Sequence, residues 1–71
     1  MKETLYKALE SKFQAQYYEA QATLEVYDRN AAGIGEHPDI MEECTKLLKK
    51  MDESQSALDT LKQLYPDELQ G

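Results

Sequence analysis

The stretch Gly33-Ile34-Gly35-Glu36-His37-Pro38 divides the chain into two segments of nearly equal length, and how it is read decides the fold. No Gly or Pro occurs before Gly33, so one uninterrupted helix is predicted over about residues 3–32. Gly33 suits the left-handed position that closes a helix, which a residue with a β-carbon resists. Pro38 suits the first position of the next helix, because the N–H it lacks would have no helical partner there. The residue before a proline avoids α geometry, so His37 reads as an N-cap or linker residue. Alternatively, Asp39 caps the helix, with Glu42 three residues on as a capping-box variant. Asp39, Glu42 and Glu43 place negative charge where the helix dipole favours it. The linker is thus residues 33–37, and the second helix spans about residues 38–65. Pro66 stops it, and a frayed tail is expected over residues 66–71. At the first N-terminus, Thr4 is a candidate cap, and Glu3 also suits the dipole.

The apolar spacing says how the helices meet. In the second, Ile40, Cys44, Leu47, Met51, Ser54, Leu58, Leu61 and Tyr65 alternate steps of four and three. In the first, Tyr6, Glu10, Phe13, Tyr17, Ala20, Leu24, Tyr27 and Ala31 do the same. Each is a heptad seam, the pattern of helices packed lengthwise. Folding at the linker pairs the seams in reverse order: Ala31 with Ile40, Tyr27 with Cys44, Leu24 with Leu47, Ala20 with Met51, Tyr17 with Ser54, Phe13 with Leu58 and Tyr6 with Tyr65. Large residues repeatedly face small ones, so the layers interdigitate. Glu10 breaks the apolar pattern, and Leu9 is expected to rotate into its place. Leu24 and Leu47 are expected to be buried, where truncation to alanine costs about 2–5 kcal/mol. The fold class is all-α: an antiparallel two-helix hairpin in a single domain.

One hairpin is too thin to enclose a core, and a 71-residue chain is short on buried surface. Leu5, Leu9, Tyr18, Ala22, Val26, Met41, Leu48, Ala57 and Leu64 fall off the seams. Residues 13–24, FQAQYYEAQATL, carry a single charge, Glu19. A helix facing water on three sides would hold more. The expectation is a homodimer of two hairpins forming a four-helix bundle. The outer face of the second helix is well charged, with Lys46, Lys49, Lys50, Glu53, Asp59 and Lys62.

With 14 acidic and 8 basic side chains, the formal charge is −6, which disfavours nucleic-acid phosphate and anionic lipid and suits a protein partner with a basic surface. Hydrophobic content of 41% is too high for a disordered acidic tail. No apolar run is long enough to span a membrane, and the start of the chain carries no signal-peptide pattern. One cysteine cannot form an internal disulfide, so a cytoplasmic location is expected, host cytoplasm if the source is viral.

Candidate chemistry is sparse. Glu36, His37 and Asp39 gather a carboxylate and an imidazole in the linker, but dinuclear carboxylate bundles need a repeated Glu-x-x-His, and this chain has one histidine. A cap or turn role is preferred, with a weak site shared between two copies left open. Cys44 lies near a helix start, yet Glu42 and Glu43 adjoin it, so a small packed residue opposite Tyr27 is preferred over a nucleophile. Four of the five tyrosines (Tyr6, Tyr17, Tyr27 and Tyr65, with Tyr18 the exception) fall on seams, which favours packing over ligand stacking. Lys46, Lys49 and Lys50 alternate with Glu42, Glu43 and Glu53 at helical spacing, a solvated ion-pair face rather than an anion grip. No catalytic, cofactor-binding or metal-ligating residue is assigned, and no cofactor is expected. The chain is read as non-enzymatic, acting through self-association and protein–protein interaction. The alternative is a regulator or inhibitor docking on a basic surface of a host protein.

Taken together, Val26-Tyr27, the run Gly33-Ile34-Gly35-Glu36-His37-Pro38-Asp39-Ile40, Glu43, Lys46-Leu47-Leu48 and Leu58-Asp59-Thr60-Leu61 resemble a group of small uncharacterised proteins of marine T4-like bacteriophages. The likeness covers the middle and last thirds of the chain, and its specific element is Gly-Ile-Gly-Glu-His-Pro. It implies a viral or metagenomic source and no particular activity or site. The small acidic RNA-binding hairpin proteins of plasmids share the architecture and also dimerise, but their motifs are not present, so that likeness is one of fold alone.

Overall fold

The computed structural model describes residues 2–30 and 39–69. They form helix α1 (Glu3–Arg29), helix α2 (Ile40–Leu64) and a terminal 3-10 turn (Pro66–Leu69). The described residues are all-helical, and the two long helices pack against each other. The molecule measures 49 × 15 × 14 Å. Its radius of gyration of 15.8 Å exceeds the roughly 11 Å of a compact domain of this length, because two helices side by side make a rod.

The helix boundaries differ in detail from those the sequence suggested. α1 ends at Arg29, not near Ala32, and Asn30 caps it: the Asn30 backbone N–H donates to the Val26 carbonyl at 3.1 Å, and its side-chain Nδ2 donates to the same oxygen at 2.9 Å. An asparagine amide can satisfy a terminal carbonyl and so end a helix early. Gly33, His37 and Pro38 lie outside the described residues, and so do their predicted turn and cap roles. Thr4 is not the N-cap; Lys2 is, with its carbonyl accepting the Tyr6 N–H at 3.1 Å, so Thr4 lies within the first turn. α2 starts at Ile40 with Asp39 as N-cap, the second of the two starts considered, and the Asp39 carbonyl accepts the Glu43 N–H at 2.8 Å. Its C-cap is Tyr65, directly before the proline. The expected fraying after Pro66 is replaced, as far as Leu69, by the 3-10 turn, which the proline ring can begin because φ is already helix-like.

The seam positions point inward as the heptads require, but they are not buried evenly. Tyr6, Ala20, Ser54, Leu58 and Leu61 are buried. Phe13, Tyr17, Leu24, Tyr27, Ile40, Cys44, Leu47 and Met51 are half-buried. Leu24 and Leu47 are therefore not the buried leucines; Leu58 and Leu61 are. Leu47 borders a hollow with Gln16, Ala20 and Thr23, and these small and polar neighbours do not cover it. Leu61 instead borders Leu9, Phe13 and Tyr65, a large apolar set. Glu10 is not displaced by Leu9 either: both are half-buried, and they share the edge of the seam.

Ser54 is the most enclosed side chain among the described residues, 1% exposed, and its hydroxyl donates to the Lys50 carbonyl at 2.8 Å. That local bond satisfies the hydroxyl without any partner from α1. Ser54→Ala is accordingly expected to leave stability within about 0.5 kcal/mol of the parent or raise it, since alanine is the better helix former. Ser54→Leu is expected to lose about 1–3 kcal/mol by overpacking. Thermal melts of the two variants check the pair of expectations. Equal losses would mean that the hydroxyl holds the structure in some other way.

Candidate functional site

Among the described residues, those singled out by sequence do not converge. Cys44 is half-buried on the first turns of α2 and lines an open hollow with Leu24, Tyr27, Ile40 and Met41. It does stand across from Tyr27, as the seam pairing required, although less deeply than a core residue would. Its neighbours in that hollow are apolar or acidic: Glu25 and Asp28 form the rim. Glu36 and His37 lie outside the described residues. Among the described residues, no group of three or more His, Cys, Asp or Glu side chains is placed to hold a metal ion. No helix among them is long and apolar enough to cross a membrane.

The tyrosines divide by depth. Tyr6 is buried; Tyr17, Tyr27 and Tyr65 are half-buried; Tyr18 is 65% exposed. The rings of Tyr17 and Tyr18 meet edge to face, with centroids 5.5 Å apart and planes at 82°. This geometry suits the aromatic quadrupole and holds the Tyr18 ring at the surface. No row of rings lies open for ligand stacking.

The lysine cluster is a solvated face. Lys46 lies 3.8 Å from a Glu42 carboxylate oxygen and 3.6 Å from one of Glu43, and all three side chains are largely wet. On α1, Arg29 meets Glu25 at 3.8 Å, again in the open. Such pairs contribute little to stability. Lys49 and Lys50 are exposed, whereas Lys62 is half-buried near the end of α2. Basic and acidic groups alternate here, which provides no concentrated field for an anion.

What the structure does gather is apolar surface. Leu5, Tyr18, Val26, Met41, Leu48 and Leu64 are all more than half exposed. Two open hollows lie along one flank of the hairpin. Tyr17, Leu48, Met51 and Gln55 line the first together with Lys49 and Asp52; Leu24, Met41 and Cys44 line the second together with Glu25 and Asp28. They follow one another along α2, so Met41, Cys44, Leu48 and Met51 make a continuous apolar strip with Tyr17 and Leu24 opposite. The sequence indicated surplus apolar residues but not their grouping, because off-seam residues join one flank or the other according to which side of the partner helix they meet. No family model, no curated protein and no solved structure matches this chain.

Proposed function

We propose that this is a non-enzymatic interaction protein whose hairpins self-associate, two copies forming a four-helix bundle with a mainly acidic outer surface. The observation that carries this reading is the surplus of exposed apolar side chains on a rod with four buried hydrophobic residues among those described. Chains this small commonly obtain the rest of their burial by association. The absence of any convergent polar cleft among the described residues also favours a surface that binds over one that reacts.

The alternative, a regulator that docks on a basic surface of a host protein, draws on the charge of −6. It requires acidic side chains along one face, and Lys46, Lys49 and Lys50 interrupt the acidic face of α2. Self-association is the better supported reading. Size-exclusion chromatography with light scattering at low micromolar concentration is expected to give twice the chain mass. A cooperatively folded species of single-chain mass at that concentration would overturn it.

A further inference from the structure

We infer that a second copy of this chain occupies the flank formed by Tyr17, Leu24, Cys44, Leu48 and Met51, and that the two hairpins lie head to tail, α1 antiparallel to α1. The inference rests on the self-association proposed above and adds which face is used and which way round.

The area is sufficient. The molecule exposes 5473 Å², against about 4,500 Å² for a compact monomer of its mass. The excess is close to the ~800 Å² that each partner buries in a standard interface. The choice of flank follows from charge. Beside the seam on this side run two rows at seven-residue spacing: Lys7, Gln14, Gln21 and Asp28 on α1, and Met41, Leu48, Gln55 and Lys62 on α2. The shared hollows confirm that these rows lie on the same side, since Asp28 and Met41 line one of them and Leu48 and Gln55 line the next with Tyr17. The four inner members of these rows, Gln14, Gln21, Leu48 and Gln55, are uncharged, and the three charged members, Lys7, Asp28 and Lys62, stand at row ends. On the other flank the α2 row is Glu43, Lys50, Ala57 and Leu64, so a charge, Lys50, holds an inner place. Burying the Lys50 ammonium would cost more desolvation than burying a glutamine amide that finds a hydrogen-bond partner, and leucine has no such cost.

Orientation follows from the ends of the α1 row. A two-fold interface must be complementary to itself. Read from one end, the row is Lys7, Gln14, Gln21, Asp28; laid antiparallel on a copy of itself, it sets Lys7 against Asp28 twice and glutamine against glutamine twice. Laid parallel, it sets lysine against lysine and aspartate against aspartate. The antiparallel axis passes midway between Gln14 and Gln21, at Tyr17 and Tyr18. The edge-to-face pair already formed there would meet its symmetry mate, placing four tyrosine rings at the centre. By the seam pairing, the same level on α2 is close to Ser54, so the strip from Met41 to Met51 lies to one side of the axis and each copy's strip covers one half of the interface.

Cysteine crosslinking in a Cys44→Ala background tests this. Tyr18→Cys, at an exposed position, is expected to crosslink to its own copy under mild oxidation. Ser11→Cys and Glu25→Cys, displaced to either side of the axis, are expected to crosslink when mixed and not alone. Self-crosslinking at position 11 or 25, or a Tyr18→Cys chain that joins only an Asp52→Cys chain, would overturn the head-to-tail arrangement while leaving self-association standing. A single-chain mass for the parent protein would remove both. A charge exchange provides the second measurement. Lys7→Asp alone and Asp28→Lys alone are each expected to weaken the dimer by several-fold to about tenfold, and the double exchange to restore it. Twenty-one residues of α1 separate these side chains, about 32 Å by the helical rise, so rescue can come only from another copy. Failure of the exchange to restore association would overturn the pairing.

Discussion

Leu58→Ala and Leu61→Ala are each expected to destabilise the protein by about 2–5 kcal/mol in chemical denaturation, the range for leucines removed from packed interiors. Their side chains are 6% and 7% exposed. The loss has two parts: apolar surface returned to water, and the cavity that a stiff pair of helices cannot close. A chain of this size has about 4–10 kcal/mol of stability, so either variant would lose a large share of it and could be half unfolded at 25 °C. Leu64→Ala, one turn further along α2 at 65% exposure, is expected to change stability by no more than about 0.5 kcal/mol. Comparable losses at positions 58, 61 and 64 would contradict the order of burial in this end of the hairpin.

Leu48→Glu is expected to weaken association by about 10²–10⁴-fold in sedimentation equilibrium. Leu48 is 59% exposed on the single hairpin, so a carboxylate there remains solvated and the helix itself is undisturbed. In the proposed two-fold dimer the substitution counts twice. Burying one leucine side chain is worth about 1.5–3 kcal/mol, and two such losses give about 3–6 kcal/mol, which sets the expected range. Circular dichroism at matched concentrations separates lost association from lost helix. If hairpin formation depends on the partner, helix content falls together with the dimer and recovers at high protein concentration. A change in affinity of less than about threefold would exclude this flank as the interface.

The contrast between Leu24 or Leu47 and Leu58 or Leu61 shows how far one dimension of information reaches. All four occupy equivalent seam positions, and the period alone treats them alike. Their depth depends on what the other helix sets against them. Leu61 meets Phe13 and Tyr65, whereas Leu47 meets Ala20, Thr23 and Gln16. The helix ends show the same limit. Pro66 closes α2 wherever it occurs, because the constraint is in its own ring, and the structure ends α2 at Leu64 beside it. Asn30 ends α1 earlier than the glycine suggested, through a side-chain bond that competes with the next helical turn. Of the candidate sites, Cys44 opposite Tyr27 was legible from the seam, while the apolar strip along one flank was not.

The sequence by itself determined two α-helices, their antiparallel pairing and the identity of the residues between them. Helical periodicity and a proline's missing N–H are properties of the chain read in order. Only the tertiary structure decided which seam side chains are sealed and which apolar residues share an open flank. Both depend on the distance and rotation between two helices, and those are set by every contact along the seam at once.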